Sequence, residues 1–185
     1  MKNILKLIFF VTVLTTASFS SIASEQSQKL LNPGWSFKGF FGKFDRASLQ
    51  RGYQVYTEVC AACHSMKYLS YRNLTQQGGP EFSEDQAKII ASQFEVIDGP
   101  NSEGDMFTRP ARLSDNFVGP YANEEAAKFA NGGAYPPDMS VLVKARKGGA
   151  SYIYSILLGY DEPPPNVSLE DGVYYNSYMS GNKIK

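Results

Sequence analysis

Between Asp45 and Cys60 the small and apolar residues Leu49, Gly52, Tyr53, Tyr56, Val59 and Cys60 recur at helical spacing, with Asp45 standing where an N-cap belongs. The pattern predicts a helix that delivers Cys60 onto a buried face. Gly52 inside it costs about 1 kcal/mol against Ala, which leaves two readings: close approach by another element, or plain tolerance. A second helix is predicted over Glu84 to Val96, with Ala87, Ile90, Ala91 and Phe94 on one face, ended by the turn residues Asp98-Gly99-Pro100-Asn101. A long loop follows through Met106, Phe107, Arg109-Pro110 and Asp115. Asn123 then caps a short helix to Ala130, and Gly132 to Pro137 forms a rigid extended connection. Asp138 is expected to cap a helix reaching Arg146. Gly148-Gly149 breaks the chain, Tyr152 to Leu158 reads as a short apolar helix, and Pro163-Pro164-Pro165 closes that region. No internal repeat, β-rich region or low-complexity tract is visible, so the fold class is mainly α with long irregular loops.

The N-terminus has a different pattern. Lys2 and Lys6 flank an apolar run from Ile4 to Leu14, and Ser21-Ile22-Ala23 supplies the small residues that a signal peptidase reads. Residues 1–23 are expected to be a signal peptide cleaved after Ala23, leaving 24–185 as one domain. The run is short of the roughly 20 apolar residues of a permanent span. A retained anchor is the alternative. Lys plus Arg and Asp plus Glu are balanced at 18 each, which excludes the basic footprint of a nucleic-acid binder. Loss of residues 1–23 removes two lysines and no acid, so the exported chain carries a net −2.

Export makes the cysteine pattern informative. The two cysteines are Cys60 and Cys63, and the one histidine is His64, spelling Cys60-Ala61-Ala62-Cys63-His64. That is the attachment signature of a c-type haem. Each thiol adds its sulfur and hydrogen across one porphyrin vinyl group, and the adjacent imidazole binds iron. At helical spacing positions i, i+3 and i+4 leave from one face, so a single element presents all three groups. A thioredoxin-like redox pair would need no histidine and would expect a βαβ pattern, which is missing. A structural zinc site needs four ligands, more than this chain has Cys and His together.

Several segments taken together resemble the cytochrome c1 family, the haem subunit of the cytochrome bc1 complex (quinol–cytochrome c reductase). They are Phe44 to Tyr56 running into Val59-Cys60-Ala61-Ala62-Cys63-His64-Ser65-Met66, then Tyr71-Arg72-Asn73-Leu74, Met106-Phe107, Arg109-Pro110, Leu113-Ser114-Asp115, Asn131 to Asp138, and Lys144-Ala145-Arg146 before Gly148-Gly149. The likeness runs from about Gly34 to Ile184. It implies a cytochrome c-like haem domain with one haem c on Cys60 and Cys63 and His64 as the fifth iron ligand. It also implies a haem crevice lined by Asn131, Pro137, Arg146 and Tyr152, with the arginine beside a propionate. A bidentate, always-charged donor suits such a carboxylate; read alone, Arg146 is equally an ordinary solvated charge, and Asn131 and Pro137 are ordinary turn residues. Two departures stand out. Asp161 occupies a position where many relatives carry a cysteine, and the methionine sixth ligand and C-terminal membrane helix of the family are expected beyond Lys185, which makes the chain a fragment.

The resemblance implies one-electron transfer from a Rieske iron–sulfur protein to a soluble or membrane-bound cytochrome c, beside cytochrome b, on the periplasmic face of a bacterial inner membrane. No catalytic acid or base is expected. A free-standing periplasmic carrier is the nearest alternative. A haem enzyme or gas sensor would need distal acid–base residues, typically a second histidine. Met66, Met106 and Met139 are poorly placed as sixth ligands, and Met179 is the nearest stand-in. Residues 81–105 hold Glu81, Glu84, Asp85, Glu95, Asp98, Glu103 and Asp105 against Lys88 alone, an acidic stretch that would steer a basic partner.

Overall fold

The computed structural model describes residues 28–185; the expected signal peptide, 1–23, lies outside them. Helix α1 (Arg46–Glu58) starts where the pattern predicts, with the Asp45 carboxylate accepting from the Ser48 amide at 2.6 Å. Such a cap satisfies one of the amides that a helix N-terminus otherwise leaves unpaired. Nothing lies within 4 Å of where a Cβ on Gly52 would sit, so that glycine is tolerated and not required by packing.

Helix α2 (Glu84–Ser92) opens with a reciprocal capping box between Ser83 and Gln86 and puts Ala87 and Ala91, both fully buried, on one face. It ends short of the expected Val96. Glu95–Asp98 instead forms strand β1, paired antiparallel with β2 (Phe107–Pro110), Val96 opposite Arg109. The cause is long-range. Arg109 donates to both Asp98 and Asp115, with its bond to Asp115 at 2.6 Å, and the Ala111 amide donates to the Phe94 carbonyl at 2.8 Å. These bonds tie the segment after Ser92 to a stretch that the helical pattern cannot reach. A 3-10 turn, Tyr71–Thr75, closes on α2. The core gathers Tyr71, Leu74, Ala87, Ala91, Ala111 and Phe117, with Tyr53, Tyr56, Met66 and Phe94 packed against it. Tyr71 and Phe117 have ring centroids 4.8 Å apart, an aromatic pair at optimal separation.

Helix α3 (Glu124–Ala130) follows the expected Asn123 cap, whose side chain accepts from the Ala126 amide at 2.9 Å. The next helix is a correction. Asp138 does not cap a helix to Arg146; only the single turn α4 (Leu142–Ala145) forms, because the Asp138 carboxylate, besides accepting from the Ser140 amide two residues on, is drawn across the chain to Ser65 and Lys67. Helix α5 (Ala150–Leu158) begins two residues before Tyr152. Gly148, at φ 93°, lies against Leu30, and a Cβ on Gly159 would be 2.5 Å from Tyr178. Around α5 the ties are polar: Ser155 accepts from the Leu31 amide at 2.9 Å, Ser151 from the Trp35 indole at 2.8 Å, and the fully buried Asn176 donates to the Ile156 carbonyl at 2.8 Å. Strand β3 (Tyr174–Tyr175) pairs with β4 (Lys183–Ile184). No helix among the described residues is long and apolar enough to cross a membrane.

Candidate functional site

The Cys-x-x-Cys-His segment sits where α1 stops. Val59 leaves helical geometry at φ −122°, and Cys60–Ala62 turns as a 3-10 helix. The three groups therefore do not ride one continuous α-helix, yet their relation survives: the Cys63 and His64 amides both donate to the Cys60 carbonyl, at 3.1 and 2.8 Å. Both cysteines are free and half-buried. Burial pushes the Cys60 thiol up, so it is held neutral.

His64 is oriented from across the chain. Its Nδ1 lies 2.8 Å from the Pro137 carbonyl oxygen. A carbonyl only accepts, so Nδ1 carries the proton and Nε2 keeps its lone pair. An imidazole in that tautomer, with the outer nitrogen fixed by a backbone oxygen, is prepared to ligate a metal. The loop that supplies this oxygen is itself clamped. The Asp138 carboxylate accepts from the Ser65 hydroxyl at 2.7 Å and from the Lys67 and Ser140 amides at 2.9 Å each. The Ser140 hydroxyl accepts from the Tyr68 amide at 3.1 Å, and the Met139 amide donates to the Ser65 carbonyl at 2.8 Å. Burial would raise the Asp138 carboxyl, but the bonds from Ser140, Lys67 and Ser65 outweigh it and hold it at about 2. Tyr56 donates to the His64 carbonyl at 3.2 Å, and burial pushes its phenol up to about 12.

The other sequence-derived residues distribute differently. Asn131 ends α3, its amide donating to Tyr121 at 3.1 Å and to the Ala127 carbonyl at 2.7 Å. Arg146 is exposed one residue past α4. Tyr152 on α5 donates toward the Met179 sulfur at 3.7 Å, joining two residues that sequence reasoning treated separately. Thus His64 and Pro137 meet, Tyr152 meets Met179, and Asn131 and Arg146 join neither pair. Met66 packs against the core as a gap-filler. Asp138, Ser65 and Tyr56 were not singled out as site residues; the adjacency of Asp138 to Pro137 was the one signal available. A groove of about 500 Å³ between α1 and α2, lined in part by Gln50, Tyr53, Phe82 and Phe94, contains no site residue.

The donor set fits a c-type haem: two free thiols at the attachment spacing, beside an imidazole whose outer nitrogen is already satisfied. The comparisons agree. The chain is 50% identical over 171 residues to "Cytochrome c1 1, heme protein, mitochondrial" of Arabidopsis thaliana, covering 90% of this chain and 55% of that protein. It is 45% identical over 182 residues to "Cytochrome b/c1" of Bradyrhizobium diazoefficiens, covering 88% of this chain and 26% of that one. To "Cytochrome c1" of Rhodospirillum rubrum it is 44% identical over 178 residues, covering 88% and 64%. The chain spans about half the length of the plant relatives it matches. The sequence profile of the Cytochrome C1 family matches residues 35–185, and on that match the chain belongs to this family.

Proposed function

We propose that the chain is the haem-bearing part of an electron-transfer subunit in a quinol–cytochrome c reductase. In this reading it takes single electrons from a Rieske iron–sulfur protein and passes them to a cytochrome c, beside cytochrome b on the periplasmic face of a bacterial membrane. Residues 1–23 are the export signal and 24–185 the haem domain. The observation that carries the reading is the contact of His64 Nδ1 with the Pro137 carbonyl, made at a motif whose two thiols are free.

When bound, haem c would supply a one-electron couple between ferrous and ferric iron. Cys60 and Cys63 would hold it covalently and His64 Nε2 would ligate iron. Pro137 keeps the imidazole in one tautomer and one orientation, which limits rearrangement between oxidation states. Asn131, Arg146 and Tyr152 would line the crevice, with Arg146 pairing a propionate; its exposed guanidinium is free to do so. No residue needs to move a proton. Lys88 pairs with Glu84 and Asp85, and Arg109 with Asp98, which leaves Glu81, Glu95, Glu103 and Asp105 as the acids of 81–105 best able to steer a basic cytochrome c.

The test is an absorption spectrum of the reduced protein, exported from a host with c-haem maturation. Haem absorption that stays with the denatured chain, and gives a sharp α band once pyridine is added, supports the reading. A changed haem spectrum of the native chain in His64→Ala, with haem still attached, would assign the ligand; an unaltered spectrum would refute it.

A further inference from the structure

The segment from Trp35 to Phe44 takes no part in the site. Its base is fixed: Trp35 donates to Ser151 on α5 and stacks on Phe37 at 5.3 Å, Phe37 stacks on Phe44 at 4.9 Å, and the Lys43 amide donates to the Ser36 carbonyl at 3.1 Å. Gly39, at φ 93°, makes the turn, and the Gly42 amide closes on the Gly39 carbonyl at 3.1 Å. The apex is the opposite of its base. Phe40 and Phe41 are 95% and 88% exposed, and their rings meet edge to face at 4.9 Å. Two such rings standing side by side in water are an apolar feature without a structural reason in this domain.

The charges around the apex are predominantly basic. Lys38 and Lys43 flank it and are exposed; Arg46 and Arg51 follow, and Asp45 is the one acid between residues 36 and 51. That is a net +3 on a short stretch of a chain whose total is zero. We propose that this turn is a lipid-binding tip: Phe40 and Phe41 enter the headgroup–acyl boundary of a bilayer containing anionic lipid, while Lys38 and Lys43 stay with the phosphates. A flat protein partner would cover one side of a projecting ring. A bilayer surrounds it, and near-complete exposure of both rings matches that medium. Aromatic rings with flanking lysines combine apolar insertion with attraction to negative headgroups, each of which alone binds weakly. The stacked base would transmit the hold to α5, fixing how the domain sits over the membrane. The inference does not depend on electron transfer, since lipid binding is read from the polypeptide.

The haem-loaded exported chain is sedimented with vesicles of phosphatidylcholine, with and without about a third phosphatidylglycerol. The expected result is co-sedimentation with the anionic vesicles that weakens with salt. F40S/F41S lowers partitioning by about tenfold or more, and K38E/K43E lowers it several-fold and abolishes the preference for anionic lipid. Both variants keep the wild-type melting temperature, because none of the four side chains is buried. Equal sedimentation of F40S/F41S and wild type overturns the proposal. So does absence of wild-type binding to anionic vesicles, including the case in which F40S/F41S instead loses binding to a purified membrane subunit.

Discussion

The two ends of this domain are held together by different physics. Residues 46–117 pack around rings and small side chains, with Tyr71, Ala87, Ala91 and Phe117 buried and the α2 face flattened to alanine so that aromatics can approach. Residues 146–185 have no comparable apolar centre. Their fully buried side chains are Ser155 and Asn176, while Leu157 and Leu158 are 62% and 58% exposed. There the chain is positioned by hydrogen bonds from Leu31, Trp35 and Asn176. An aromatic core resists change through volume, and a polar one through satisfied donors. The Cys-x-x-Cys-His motif lies within the first region, where α1 stops, and Pro137 and Asp138 approach it from the connecting segment.

The contrast is sharpest in core deletions. Phe117→Ala should destabilise by about 3–5 kcal/mol in denaturant unfolding, whereas Leu157→Ala should change stability by less than about 1 kcal/mol. Near-equal losses would break the comparison. Asn176→Ala should cost about 2–3 kcal/mol despite removing little apolar area, because it strands the Ile156 carbonyl and the Tyr178 amide. Next, Asp138→Ala should cost about 1–2 kcal/mol by freeing the Ser65, Lys67 and Ser140 donors, with Asp138→Asn recovering part of it. The same pair separates positioning from bulk stability. The nitrogen resonance of His64 Nδ1 should shift in the alanine variant and recover toward wild type in the asparagine variant.

The smallest effect is the pH dependence of the hairpin. The Arg109 guanidinium holds the Asp98 and Asp115 carboxyls below their usual range. Both groups bind fewer protons folded than unfolded, so their contribution is complete above the unfolded value of about 4 and fades as pH falls through the lower folded values. Arg109→Gln should flatten this acid limb of a melting-temperature profile; an unchanged slope would assign the limb to other carboxylates.

Local signals carried most of what could be read from the sequence alone. Asp45, Asn123 and the 3.6-residue spacing before Cys60 placed α1 and α3, because caps and periodicity act within a turn or two. The hairpin escaped for the opposite reason. Phe94 continues the helical spacing of Ala87, Ile90 and Ala91, and the partner that converts the following residues to a strand starts at Phe107. Asp138 looked like a helix cap because a carboxylate accepting amides is the same chemistry locally and at long range; its donors Ser65 and Lys67 lie more than 70 residues away. The pairing of Tyr152 with Met179 and the anchoring of Trp35 on Ser151 were invisible for the same reason.

The central claim is that Cys60 and Cys63 hold one haem c with His64 on its iron. The direct measurement is the mass of the denatured chain after export from a host with c-haem maturation, read alongside its haem spectrum in alkaline pyridine. The account predicts a gain of one haem per chain and the spectrum of two thioether bonds. Cys60→Ala should show the red-shifted spectrum of a single thioether, and the double variant Cys60→Ala/Cys63→Ala no retained mass. A chain that matures, folds and carries no haem-linked mass, or retains it in the double variant, would contradict the claim.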